Sequence, residues 1–474
     1  MYLVIAGLAL IDAFIHLPQL VPVTAGLIVF FILLQFREIP LPQKIAGIVL
    51  TGIGLIGAAA SEHWAGVVID GIARSRVFLL LFFAVSWLQY PVNQSPSLQA
   101  ARRTIISQPP GRRFLYMSFG VHILGSILNL AGLGLLTTMV EKQKNTHLRR
   151  RMAMALINGY GSASCWSPFF IGMIVILVAL PSLSWRDIGP WGILLALAIM
   201  TMSWLYDRLV LRTAMPSEAA SSPVPISKQH FWRTAGLLGS LVGLAIVIVE
   251  FTGASIPVTL GLMGPPFAIC WYMSLGAKGT RFPYRAKSLA VDVMKGLPSL
   301  RNEVLVFVAA NILGVGISSA IPTQDVAAVV NAVLPWTDAK IFALILFFLF
   351  TSAIGLHPII VVIALSAVLP PESLGMRDWV MGLTFVGVWG LSTMVSPFSG
   401  TTLFMSRVTG VPAHIIGWSW MLPTSLLNGT VIAVMIIAIR HLVRWPMSGA
   451  KRAWIKPAIP PRGEAMVAPP VNSE

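Results

Sequence analysis

Two stretches decide the reading of this chain: Gly161-Ser162-Ala163-Ser164-Cys165-Trp166-Ser167-Pro168-Phe169, and Ser392-Thr393-Met394-Val395-Ser396-Pro397-Phe398-Ser399-Gly400-Thr401-Thr402. Each is a Ser/Gly/Pro-rich interruption of an apolar run of helix length. Pro168 and Pro397 lack an amide hydrogen and clash with the preceding turn, so each breaks its helix and frees backbone groups at membrane depth. Gly161 and Gly400, with Gly159, are expected to let the backbone turn there. Paired breaks in the two halves of a membrane chain point to a transport site.

Composition agrees with a membrane setting. Over 474 residues, 56% are hydrophobic and 11% charged, and the mean hydropathy is +0.81. The fold class read from this is an all-α polytopic membrane protein, with about 11 transmembrane helices of roughly 20 residues each. No polar stretch is long enough for a separate soluble domain. The net charge of +16 resides in loops beside apolar spans, where Lys and Arg set orientation and meet anionic headgroups, so nucleic acid is not an expected partner and the lipid bilayer is. The first residues lack a basic leader and a cleavage site, and are read as a retained span. Cys165 and Cys270 are the only cysteines, which argues against a structural disulfide or a metal site. There is no phosphate-binding Gly-rich loop and no His-Glu-x-x-His word, so no cofactor and no ATP-driven pump is expected.

Two further apolar runs, 114–140 and 341–369, carry small or polar residues at mid-length and read as re-entrant hairpins. Their tips are Gly125-Ser126-Ile127-Leu128-Asn129 and Thr351-Ser352-Ala353-Ile354-Gly355-Leu356-His357-Pro358. The block order is the same in each half: span, amphipathic arm, hairpin, broken helix (152–180 and 380–405), final span. The expected organisation is an N-terminal helix (1–19), a first repeat (20–212), a cytoplasmic linker (213–234), a second repeat (235–440) and a basic tail (441–474). The first arm holds Arg102, Arg103, Arg112 and Arg113, and its hairpin exit Arg149, Arg150 and Arg151; the equivalent parts of the second half are nearly neutral. Opposite sides for equivalent parts mean inverted repeats, with a cytoplasmic N-terminus. The multi-pass chain is expected in a bacterial inner (plasma) membrane.

The candidate substrate- and ion-binding residues are Ser126 and Asn129 on the first tip, Ser352 and His357 on the second, Ser162, Ser164 and Ser167 on the first break, and Ser392, Ser396, Ser399, Thr401 and Thr402 on the second. Neutral hydroxyls, a carboxamide and helix N-terminal amides suit an anion that no full positive charge neutralises. His357 is a candidate proton carrier, His122 a weaker one. Asp12 and Glu250 read as packing or interface residues, and Asp70 with Arg74 and Arg76 as a solvated span entrance.

On these breaks and tips the chain resembles the ion transporter superfamily, which includes divalent anion/sodium symporters and the membrane subunits of dicarboxylate uptake systems. The resemblance covers roughly Leu20 to Ile439, in architecture more than in wording. It implies a scaffold holding a mobile transport domain, an elevator-like displacement, and a homodimer. Family tips often carry Ser-Asn-Thr; here the second has Gly355 and His357 instead. The function expected is secondary active transport of a small organic anion, a carboxylate by preference, coupled to Na+ or H+. The alternatives are a metalloid, inorganic ion or cation exchanger of the same fold, and a membrane-embedded transferase, which the scattered acidic residues disfavour.

Overall fold

The computed structural model describes residues 1–106, 108, 110–212, 228–275 and 282–443. Most of the expected linker and nearly all of the basic tail lie outside the described residues. Among the described residues the chain is helical, without a strand.

The first half opens with α1 (Tyr2–Ile15), α2 (Leu20–Gln35), α3 (Leu41–Ala58) and the short α4 (Trp64–Arg74). Then come the span α5 (Arg76–Gln94), the arm α6 (Pro96–Ile106) and a hairpin of α7 (Pro110–Leu128) with α8 (Leu130–Leu136) and α9 (Thr138–Lys142). The broken helix α10 (Thr146–Ser162) and α11 (Ile171–Ala179) follows, and α12 (Trp185–Tyr206) closes the half. The second half runs through α13 (Lys228–Thr252), α14 (Ile256–Ser274), α15 (Phe282–Gly296), the span α16 (Arg301–Ala320) and the arm α17 (Thr323–Val333). Its hairpin is α18 (Thr337–Ala353) and α19 (Pro358–Val368), its broken helix α20 (Asp378–Val395) and α21 (Gly400–Thr409), its last span α22 (Leu422–Leu442). Each half thus ends in a helix interrupted near a proline followed by a long apolar helix.

Eight helices among the described residues are long and apolar enough to cross a membrane, or nine if α17 and α18, bent by 107°, count as one span. This is fewer than the eleven expected. α1 has 14 residues, and the first broken helix is cut into pieces of 17 and 9, each short of the roughly 20 that a span needs.

Local sequence explains the helix starts. At α12 the Ser184 backbone N–H and hydroxyl both donate to the Asp187 carboxylate in the first turn, the Ser-x-x-Asp pattern of a capping box. Asn145 accepts from the Leu148 amide at α10. Proline occupies the first turn of α14 and α19, where no amide hydrogen is needed.

Helices of the two halves interlock. α3 crosses α16 on glycine: a Cβ added at Gly316 would lie 1.9 Å from the Gly54 carbonyl oxygen, and one at Gly57 2.5 Å from that of Gly316. Such backbone approach is how membrane helices gain dispersion contact without a hydrophobic driving force. α5 packs on α14 in the same manner, Gly261 against Leu80 and Gly264 against Ala84. The Phe78 ring packs tilted against Phe307, with centroids 4.6 Å apart. Arg76 pairs with Asp12 at 2.7 Å, so part of the expected solvated entrance is an interhelical ion pair. Glu250 pairs with Arg186.

The centre is α20, buried at every residue from Val380 to Val395. A helix apolar all round has no lipid-facing side and belongs inside a bundle. α10, α11, α12, α18, α19 and α22 surround it.

Candidate functional site

Both breaks are present. α10 ends at Ser162, passes through one 3-10 turn (Ala163–Cys165), and the chain resumes as α11 only at Ile171, beyond Pro168. α20 ends at Val395, and α21 begins at Gly400, beyond Pro397.

The two broken helices touch backbone to backbone. A Cβ added at Gly390 would lie 2.0 Å from the Gly161 carbonyl oxygen and 2.7 Å from the Ser164 hydroxyl. Gly161 and Gly390 each stand seven residues before their proline, so the crossing is equivalent in the two halves. The final span of each half backs its own break in a matching way. Added Cβ atoms would lie 2.0 Å from the Cys165 carbonyl oxygen at Gly192, and 2.3 Å from that of Val395 at Gly417.

These distances correct the expected role of two glycines. Gly159 and Gly161 lie inside α10 and do not turn the chain; they admit neighbours, Gly159 meeting the Ser118 carbonyl oxygen at 2.1 Å from an added Cβ. Gly400 opens α21 with free space around it, so nothing there requires a glycine.

Each hairpin tip docks on the break of its own half. At the first, Asn129 takes a positive φ of 51°, which its short polar side chain tolerates. Asn129 Nδ2 donates to the Phe169 carbonyl at 3.1 Å, and the Ser167 hydroxyl donates to the Ser126 carbonyl. At the second, Gly355 has φ 106°, a conformation closed to residues with a Cβ, and it abuts the Phe398 ring. Trp418 Nε1 donates to the Ala353 carbonyl at 3.0 Å. His357 caps α19, its Nδ1 accepting from the Ile359 amide, and its ring stands edge-on to Trp389 at 6.1 Å.

Most of the candidate hydroxyls are occupied. Ser162 donates to Gly159, Ser164 to Gly161 and Ser126 to Ile123 carbonyls, each within 2.9 Å. In the second break Ser399 donates to the Thr393 carbonyl and Thr402 to that of Ser396, both at 2.5 Å, while Ser399 accepts from the Thr402 amide. Ser396 Oγ accepts from the Phe398 amide. In the second break Ser399 thereby satisfies the Thr393 carbonyl that Pro397 releases, which costs little in apolar surroundings. Thr401 is buried in the first turn of α21.

Three candidate groups differ. Asn129 Oδ1, Ser352 Oγ and Ser392 Oγ are buried without a hydrogen-bond partner. An orphaned polar atom at such depth costs about 1–3 kcal/mol, which a ligand or water would recover.

Sequence reasoning missed Trp166. Its Nε1 donates to His122 Nε2 at 3.0 Å, and His122 Nδ1 lies 2.8 Å from the Ser162 hydroxyl. Nε2 accepts, and Ser162 spends its own proton on Gly159, so the neutral imidazole carries its hydrogen at Nδ1. His122 thus ties the first hairpin to the first break. The available signal was an indole two residues before Pro168, an odd place for a residue with a buried donor. The runs 114–140, 152–185, 341–371 and 379–406 contain no Asp, Glu, Lys or Arg. Among the described residues no His/Cys/Asp/Glu group could hold a metal.

Solved structures share this architecture. The chain is 14% identical to the YdaH transporter of Alcanivorax borkumensis, described as having an unusual topology, with a TM-score of 0.52 over 77% of this chain and 85% of that one. It is 11% identical to MtrF of Neisseria gonorrhoeae, described with a class of antimetabolite efflux pumps, with a TM-score of 0.55 over 85% and 94%. The chain has the fold of membrane transporters. No protein-family model matches the sequence, and no curated protein is similar to it. The likeness does not single out the ion transporter superfamily.

Proposed function

We propose that this protein is a secondary active transporter of a small organic anion, a carboxylate by preference, coupled to Na+ or H+. The observation that carries the reading is the matched crossing of two broken helices at Gly161 and Gly390, each seven residues before a proline, with a hairpin tip seated on each break. On this reading the halves are inverted repeats, and the tips and breaks move as one body relative to the scaffold built on α3, α5, α14 and α16. The scaffold is the part that would hold a second copy, as a homodimer in a bacterial inner membrane. Asn129 Oδ1, Ser352 Oγ and Ser392 Oγ are the groups assigned to solute or coupling ion, since each is fully buried without a partner.

An anion fits because the site region carries no fixed charge of either sign. Helix N-terminal amides at α11, α19 and α21 attract a carboxylate, and a co-bound cation completes neutrality. Export has its own support: MtrF is described with efflux pumps, and the same parts run outward when protons enter in exchange.

Purified protein in proteoliposomes, with sodium and proton gradients imposed separately, tests the proposal. Uptake or release of labelled mono- and dicarboxylates that depends on one gradient, and is lost in Asn129→Gly at normal insertion, supports it. Gradient-independent leakage, or flux of metalloid or inorganic ions alone, overturns the organic-anion reading.

A further inference from the structure

In the second half, at the end of α20 opposite its break, lies a cleft of about 230 Å³ lined by Thr337, Gly375, Arg377, Arg440 and His441. Three elements meet there: the N-termini of α18 and α20 and the C-terminus of α22. Neither N-terminus has a side-chain cap, so first-turn amides stay available, while Asp338 and Asp378 in the two first turns offset part of the dipole charge.

The cationic side chains are held in place. Asp338 binds Arg440 Nη1 through one oxygen and His441 Nε2 at 3.0 Å through the other, which fixes both at the rim and uses one unit of negative charge. Lys340 Nζ donates to the Leu374 carbonyl and to Asn331 Oδ1, each at 2.6 Å, anchoring the loop that presents Gly375 and Arg377. Among the described residues Arg377 has no ion-pair partner. The cleft therefore presents two guanidinium groups, Arg377 and Arg440, two helix N-termini and the Thr337 side chain.

We propose that this cleft binds a phosphate-type oxyanion, with Arg377 and Arg440 as its principal partners. Arginine presents paired N–H groups that match phosphate oxygens, and helix N-termini favour the same charge. The surroundings suit a lipid phosphodiester: Trp336, next to Thr337, is 73% exposed, as an indole at headgroup level would be. An anion bridging Arg377 and Arg440 ties the hairpin helix α18 and the broken helix α20 to the last span α22.

Binding is read without transport, so this inference stands apart from the proposed function. The purified protein is titrated in native mass spectrometry with phosphatidylglycerol and with phosphatidylcholine, and its thermal midpoint is followed against inorganic phosphate. Wild type is expected to retain phosphatidylglycerol on the order of tenfold more tightly than R377Q, the loss typical of one charge-assisted bond, with R377K intermediate. Stabilisation of wild type but not R377Q by inorganic phosphate, without lipid preference, assigns a soluble anion instead. Equal behaviour of wild type and R377Q toward both probes overturns the site.

Discussion

Gly390→Ala tests the contact on which the architecture turns. The new Cβ would stand 2.0 Å from the Gly161 carbonyl oxygen, where real contacts stay beyond 3.0 Å. The obstacle is backbone, so α10 and α20 must separate by about 1 Å, inside a bundle with no room on any side of α20. Such overpacking costs about 1–3 kcal/mol. Gly161→Ala is the internal control. Its Cβ would lie 2.0 Å from Met394 Cε, the end of a flexible thioether, and 3.2 Å from the Gly390 carbonyl oxygen, so the thioether must repack but the backbones need give by only a few tenths of an ångström. Both substitutions gain up to about 1 kcal/mol of helix propensity, which cancels in the difference. Gly390→Ala should therefore be the less stable of the two by about 1–2 kcal/mol, read as a lower melting temperature in fluorescence-detected size-exclusion chromatography. Equal melting temperatures, or a more damaging Gly161→Ala, would refute the crossing.

Three further outcomes follow from the geometry. Asn129→Gly keeps the positive φ but loses the carboxamide; it should lower flux at least tenfold with stability reduced by only about 1 kcal/mol, whereas Asn129→Leu should also impair folding, and unchanged flux in the glycine variant would remove Asn129 from the site. Arg151 and Asp207 form a buried pair at 2.7 Å, so Arg151→Ala should destabilise by about 3–5 kcal/mol, with Asp207→Asn recovering part of the loss in the double variant; a mild single variant would show that the carboxylate reaches water. Nitrogen-15 spectra of labelled histidine should show His122 as the Nδ1–H tautomer in wild type, and loss of that preference in Trp166→Phe; an Nε2–H tautomer in wild type would contradict the Trp166 bond.

Much of this architecture can be read from residues alone, because proline and apolar length act locally. Pro168 and Pro397 end helices wherever they stand, and the hairpins follow from small residues at the middle of long runs. What escaped depended on neighbours. α4 and α15 carry charges in sequence, Asp70 and Arg74 in one, Arg285, Lys287 and Asp292 in the other, and read as a solvated span entrance and a basic loop until an apolar face finds α16 or α14 to cover. The hydroxyls of the second break looked like ligands because composition cannot tell a free Ser399 from one bonded to Thr393. Gly161 was noticed for the wrong property, since close approach to Gly390 is a relation between two distant segments. Asn129 and Ser352 stand out among the tip residues only once every other partner is counted.

Trp389 links what the sequence keeps apart. Its indole fills the space over Gly172 in the first half and meets the His357 ring at the second tip. A bulky, flat wedge seated between the two makes one indole the keystone against which both halves rest.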